Sequence, residues 1–535
     1  MGAYDRSRCL DLAAQPTRRA PGTWCASVLC LAVLCISASG CSSPGDTADT
    51  VGLADAAPDG VVVEDQVDAV DVAHDATLTK VPNTECASAY PGHTVGLLAC
   101  SDKASPGYTL VAPVLSSDTF LIDNLGNEVH RWPSENLAGF TGYLLEDGTL
   151  LRAGKVAGAP GWFGVLFASG KVDKIAWDGT LLWSYTMAEP DRMMHHDVAP
   201  LPNGHVLVLA WELKTRDEAI AAGRDPAKMK TNVLWMDTIL ELEPVGPNET
   251  NVVWQWRLWD HLVQNFDPTK LNYGDPAAHP DRVDFNSGST TIPEWVHANA
   301  LSYHAGFDQI MLTMRDASEV VILDHSTTTA EAQGSTGGKR GKGGDLLYRW
   351  GNPAMYGTGA AADRRLFGCH DGHWVEPGVQ GAGHILVFNN GSSRPGTPYY
   401  SSVEEFVPPV DENGDYTSEP GKAFGPTSAT WTFKADPPES MYSAHMSSSQ
   451  RLPNGNMLIC DGSTGTLIEV SDAGQVVWKY RNPVSIIGPA RQGEKPPPGP
   501  TGVGSGLIVF KTRRYPPDYP GLAGKVLTPI APIEN

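Results

Sequence analysis

Six times along the chain a short strand-like phrase ends on a large aromatic: NEVHRW (127–132), GTLLWSY (179–185), NVVWQW (251–256), DLLYRW (345–350), ATWTF (429–433) and QVVWKY (475–480). A second phrase recurs between these endings, a turn of Asp or Asn plus Gly followed by apolar residues. It is read at Asp147-Gly148-Thr149-Leu150-Leu151, Asn203-Gly204-His205-Val206-Leu207 and Asn454-Gly455-Asn456-Met457-Leu458. Repeated short strands separated by turn signals are the pattern of a β-propeller, in which four-stranded blades surround a central channel. Two stacked β-sandwiches are the alternative, and six like endings favour radial repetition. The expected fold is therefore all-β, a six-bladed propeller over residues 81–535. The first unit (108–133) is short and a late strand, Gly506 to Phe510, stands alone after the sixth, so the C-terminal strand is expected to close the first blade. Helix signals are few: DEAIAAG (217–223) reads as one helical turn, and 497–506 as a Pro/Gly-rich connection.

The N-terminal 80 residues have another character. Arg18 and Arg19 precede an apolar run, WCASVLCLAVLCI (24–36), then small residues and Cys41. A basic start, an apolar stretch too short to span a bilayer and a small-residue end describe a secretory signal over 1–40. Cys41 after Ala-Ser-Gly resembles a bacterial lipobox, which implies cleavage before Cys41 and lipidation of its thiol; a plain cleaved signal peptide is the other reading. Residues 42–80 carry nine acidic residues, one Lys and no aromatic. Such a segment cannot bury enough apolar surface to offset its ordering entropy, so 41–80 is expected to be an acidic disordered tether. The expected location is the periplasmic face of an outer membrane or the cell surface. In that oxidising setting Cys86 and Cys100 are expected to pair, whereas Cys369 and Cys460 could be buried thiols or a second pair. A formal charge of -22 removes the basic footprint that nucleic-acid binding requires.

Histidines recur at one place in the repeat. His195-His196-Asp197 stands just ahead of the Asn-Gly turn of the third unit, and His445 stands at the same distance ahead of that of the sixth. His297 precedes the strand opening near Asp308, and His370 precedes the strand from His384 to Phe388. Blades are related by rotation, so side chains at equivalent positions converge on the axis, and four units aim imidazoles at one volume. A satisfied structural role remains the better reading for His205, His304 and His325. Arg315 ends the apolar run 310–314, one strand beyond His297; it is either an oxyanion ligand among imidazoles or an ordinary strand-end Arg.

With these residues the sequence resembles the bacterial arylsulfate sulfotransferase family. The resemblance covers about residues 108–520 and includes HHDVAPLPNGHVLVLAWE, EWVHANALSYHAGFDQIMLTMRDASEVVILDHSTTTAEA, LLYRWGNP, CHDGHW with GAGHILVFNNGSSR, and QRLPNGNMLICDG. It implies a six-bladed propeller that moves a sulfuryl group from a phenolic sulfate ester to another phenol, with no nucleotide sulfate donor and no cofactor. In the family a His of the fifth-unit motif attacks sulfur and forms a sulfohistidine, and that motif falls on His370. His196 with adjacent His195, His297, Asn299 and Arg315 match supporting positions around the sulfuryl oxygens and the bridging oxygen. The usual Gln before the nucleophile is Cys369 here, and His445 rests on the repeat argument alone.

Sulfuryl transfer, like phosphoryl transfer, asks the protein mainly to position groups and stabilise peripheral charge. A neutral imidazole is a competent nucleophile near pH 7, and a covalent intermediate implies ping-pong kinetics. Trp295 and Trp374, each close to a site His, are candidates to stack on an aryl ring, with core packing the competing role. HExxH, GxSxG and Walker motifs are absent from the sequence, and Gly337 to Gly344 lacks the Ser or Thr of a phosphate loop. No metal is expected, since Arg315 beside the imidazoles suits an oxyanion. The rival functions are a non-catalytic propeller lipoprotein that binds an anionic or sulfated ligand, and an aryl sulfohydrolase that uses water as acceptor.

Overall fold

Each aromatic ending becomes the fourth strand, counted outward from the channel, of an antiparallel blade: Glu128–Trp132, Leu181–Thr186, Glu249–Arg257, Tyr348–Trp350, Trp431–Lys434 and Val476–Arg481. The structure is a computed structural model and describes residues 86, 90–114, 116–158, 168–288, 292–499 and 505–534. The signal segment, Cys41 and the acidic stretch to residue 80 lie outside the described residues.

The outer aromatics explain the repeat physically. Indole N–H groups buried at the blade faces need acceptors, and three of the outer-strand tryptophans find them across the blade boundary. Trp183 donates to Thr250 Oγ1 at 2.9 Å, Trp254 to Thr327 Oγ1 at 3.1 Å, and Trp478 to the Asn124 carbonyl at 2.8 Å. Each therefore serves as an apolar wedge and as a polar rivet to the following blade. The Gly turns are equally local in origin. Gly148, Gly204 and Gly455 take φ of +79°, +86° and +87°, a region that favours glycine, and the preceding Asp or Asn side chain accepts from the amide two residues on.

The innermost strands carry the channel-facing residues. They are Ala138–Leu144, Arg192–Pro200, Ala298–His304, Cys369–Trp374 and Ser448–Arg451 in blades 2 to 6. In blade 1 the innermost position is taken by the C-terminal strand Val509–Tyr515, which pairs antiparallel with Tyr108–Pro113. That strand begins three residues later than the sequence pattern suggested, because Gly506 and Leu507 are drawn into the contact with Pro497 and Gly465. The segment expected ahead of the fold also joins it. Gly96–Cys100 forms a fifth strand on the outer edge of blade 6, with Cys100 joined to Cys86 by a disulfide. The helical turn is Arg216–Ala221, started by a capping box between Thr215 and Glu218.

Candidate active site

The innermost strands of blades 3 to 5 are bulged at or next to the site imidazoles, and that of blade 2 is bulged around Phe140. His196 and His297 take φ of +50° and +53°, and Asp371, next to His370, takes +54°. A left-handed residue inside a strand re-aims the neighbouring side chains, and three equivalent cases at one end of the channel are a shared device.

The result is a cavity of about 160 Å³ lined by Ile292, Glu294, His297, Arg315, Asp316, His370 and His445. Blades 4, 5 and 6 thus contribute His297, His370 and His445 to one wall. A larger groove of about 630 Å³, lined by Trp431, Phe433, Lys434 and Lys479 among others, holds none of them. The chemistry therefore belongs to the smaller cavity.

The protonation state of His370 follows from its neighbour. Asn390 donates through Nδ2 to the carbonyls of Ser443 and Met446, both at 2.8 Å, so its Oδ1 faces His370 Nδ1 at 2.7 Å. His370 must then donate from Nδ1, which leaves the lone pair on Nε2. The Met446 amide approaches that lone pair at 3.2 Å. Burial, then the Arg315 charge, holds the pKa of His370 well below the ordinary imidazole value, so the ring is neutral near pH 7. Phe510, 5.9 Å away edge-on, is part of the apolar surround that also includes Phe140 and Met446.

His297 is the opposite case. Burial disfavours its charge, but the Glu294 carboxylate, 2.6 Å from Nδ1, outweighs that and raises its pKa. Its Nε2 lies 3.2 Å from His196 Nε2, and His196 Nδ1 lies 2.8 Å from His195 Nδ1. His195 Nε2 in turn stands 3.3 Å from Asp237 Oδ1. Burial lowers the pKa of both His195 and His196, so each is a neutral ring with one donor and one acceptor. A chain of imidazoles thus runs from Glu294 to Asp237, with the cation at His297. His195 and His196 lie one layer behind the cavity, with His195 stacked on Trp211 at 4.0 Å.

Arg315 is fixed next to His297 by its backbone, whose amide donates to the His297 carbonyl at 2.9 Å. Its Nη1 pairs with Asp316 at 2.5 Å and its Nη2 donates to His445 Nδ1 at 3.2 Å, while its buried Nε–H has no acceptor among the described residues. His445, with its pKa pushed down to about 4 by burial and then by Arg315, is neutral and keeps its proton on Nε2. Asn299 is fully buried and donates to the Cys369 carbonyl at 2.8 Å, which ties the strand of His370 to blade 4. The Cys369 thiol faces the Met314 and Glu319 carbonyls at 3.7 Å, inside the core, and burial raises its pKa. Cys369 and Cys460 are buried free thiols. Trp295 and Trp374 are core residues rather than an aryl platform: Trp295 packs on Phe285 and Trp374 against His304.

Three residues that complete the site escaped the sequence reading: Glu294, Asn390 and Lys511. Asn390 follows the second strand of blade 5 much as Arg315 follows that of blade 4, a repeat equivalence that was open to view. Glu294 sits in the PEWVH phrase three residues before His297. Lys511 gave no local signal. It bridges Asp197 at 2.7 Å and Asp371 at 2.9 Å, the acids that directly follow His196 and His370, and both neighbours are buried. Among the described residues no group of three or more His, Cys, Asp or Glu is arranged to hold a metal ion.

Comparison with known proteins agrees with this arrangement at the level of family. Solved structures to which the chain is similar include a Bacteroides caccae protein of unknown function (14% identical, TM-score 0.40, covering 77% of this chain and 99% of that one). A virginiamycin B lyase from Staphylococcus aureus with quinupristin is 9% identical, with TM-score 0.32 over 70% of this chain and 85% of that one. Likenesses this distant carry no argument about function. No curated protein matches. Residues 120–484, from the third strand of blade 1 to the end of blade 6, match the family described as arylsulfotransferase (ASST). That span holds all four blades that supply the imidazoles and Arg315, and the chain belongs to the arylsulfotransferase family.

Proposed function

We propose that this protein transfers a sulfuryl group from a phenolic sulfate ester to a phenol through a sulfohistidine on His370. Family membership supports aryl sulfotransfer in general. The observation that carries the finer reading is the neutral His370, with its lone pair fixed on Nε2 by Asn390, beside a protonated His297 and an Arg315 N–H that lacks an acceptor.

In the first half-reaction His370 Nε2 attacks sulfur, the N–S bond forms, and the bond from sulfur to the aryl oxygen breaks. The electron pair leaves on the phenolate oxygen, which takes the His297 Nε2 proton otherwise directed at His196. Arg315 and the His445 Nε2–H hold the peripheral oxygens, whose charge the site stabilises with fixed donors rather than water. The acceptor phenol then returns its proton to His297 as its oxygen attacks sulfur, and the N–S bond breaks with its electron pair returning to His370 Nε2. His195, His196 and Asn299 act as positioning residues behind this wall. The disulfide between Cys86 and Cys100 supports an oxidising compartment, in keeping with export and lipidation at Cys41.

Intact mass after mixing with p-nitrophenyl sulfate tests the reading. A gain of about 80 Da that is absent in His370→Ala and discharged by phenol is the expected result for a covalent intermediate. Nitrophenolate release with free sulfate and no acceptor would instead mark a hydrolase, and no release at all a binding protein.

A further inference from the structure

The cavity can seat one ring-sized group and little more. An apolar void of roughly 150 Å³ accommodates a benzene molecule, whereas sites for larger ligands run to roughly 300 Å³ and above. The site here is about 160 Å³. With the sulfuryl group among His370, His297 and Arg315, anything beyond the first ring of a substrate lies over the rim.

The segment leading to His445 carries half of a ring pair. Tyr442 lies three residues before His445 and two before Ala444, whose carbonyl receives Arg315 Nη2 at 3.5 Å. Tyr399, 41% exposed, comes from the loop after the second strand of blade 5 and stacks on Tyr442 with ring centroids 5.8 Å apart and planes 29° apart. The two segments are clamped: the Ser401 amide donates to the Met441 carbonyl at 2.9 Å, and the Ser443 amide to the buried Ser401 Oγ at 2.9 Å. Tyr442 also shares its surroundings with the site. Partial burial and then the Tyr399 phenol raise its pKa, while Arg315 draws it the other way. Ile292, 44% exposed, supplies an apolar wall of the same cavity.

We infer that the Tyr399–Tyr442 pair is a second-ring subsite, and that the substrates of this enzyme are multi-ring phenols and their sulfate esters. The inference rests on the proposed transfer at His370 and extends it from a reaction type to a substrate size. A planar ring laid against a pre-stacked, backbone-clamped Tyr pair loses little conformational entropy and gains aromatic contact.

The test uses the full chain and has two arms. In the first, phenol and 4-phenylphenol are compared as acceptors with p-nitrophenyl sulfate as donor. Wild type is expected to show a KM about three- to tenfold lower for 4-phenylphenol, the range of one aromatic contact. Tyr442→Ala should erase that preference and Tyr442→Phe retain it. In the second arm, calorimetry compares benzenesulfonate with biphenyl-4-sulfonate, whose carbon–sulfur bond cannot be transferred. The biphenyl compound should bind more tightly to wild type and equally to benzenesulfonate in Tyr442→Ala. An unchanged ratio of the two sulfonates in Tyr442→Ala overturns the subsite. Absence of transfer by wild type with every acceptor overturns the proposed reaction instead, and the binding arm still reads the rim.

Discussion

Replacing Lys511 by Met would strand a carboxylate at the centre of the propeller. Lys511 is 4% exposed, and its ammonium touches Asp197 Oδ2, Asp371 Oδ1 and the Tyr143 hydroxyl, the last at 3.1 Å. The two carboxylates fare differently without it. Asp371 keeps Arg513 at 2.9 Å and the Ser449 amide at 3.0 Å. Asp197 keeps only neutral donors, the Leu301 and Val198 amides at 3.0 Å and Tyr143. The charge left without a counter-ion is therefore Asp197, and breaking a buried pair by removing one partner costs about 3–5 kcal/mol. Urea unfolding at pH 7 should show that loss. In thermal melts it is only about 3–5 °C, because a unit of some 460 residues has an unfolding entropy near 1 kcal/mol/K. Adding Asp197→Asn to the same background removes the stranded charge and should restore more than half of the stability. If Lys511→Met unfolds at the wild-type urea midpoint, or if Asp197→Asn restores nothing, the channel network is not what holds these strands.

Three further outcomes follow from the site and its surroundings. Transfer should lose rate on the alkaline side as His297 gives up its proton, at a pH above the ordinary imidazole value, and Glu294→Gln should move that limb down; a limb that stays put would remove His297 as the acid. Asn390→Ala frees His370 to place its proton on Nε2, so kcat should drop by at least roughly tenfold with KM little changed, whereas a pure KM effect would contradict the tautomer argument. Away from the site, His325 bridges Asp308 at 2.8 Å and Glu241 at 3.0 Å; burial opposes its charge, but these hydrogen bonds and charges lift its pKa to about 9. A raised folded-state pKa stabilises fully below the unfolded value of about 6.5 and is lost as pH climbs through about 9, a contribution of at most about 3 kcal/mol. Urea midpoints at pH 7 and pH 9.5 should separate in wild type and converge in His325→Gln, and equal losses in both proteins would refute the bridge.

The blade count was legible because each outer strand needs a large aromatic at a blade face, and six such residues cannot hide in a sequence. The convergence of His297, His370 and His445 was legible for a related reason, since rotation turns a repeat position into a place. What escaped was whatever crosses between repeats. Lys511 meets Asp197 across 314 residues, and Gly96–Cys100 meets Val476–Arg481 across nearly the whole chain, with no local pattern to announce either. Exposure was also illegible: for Trp295 and Trp374 the sequence left an aryl platform and core packing both open, because adjacency to a His does not say which face of a strand is dry. Cys369 looked like a disturbance of the nucleophile's hydrogen bonds, yet only its carbonyl serves the site, and a carbonyl is the same in every residue.

The strand Val509–Tyr515 has one more implication, a matter of timing. It is made within the last few dozen residues of the chain, yet it supplies Phe510 beside His370 and Lys511 between the acids that follow His196 and His370, and it pairs with residues some 400 positions earlier. A ribosome that has finished five blades has therefore still not produced the strand that completes the channel. Pairing over so long a separation is slow, because the loop entropy is spent before the contacts form. A chain that loses its last thirty residues would keep every imidazole and still lack the floor and the bridge that hold them in register.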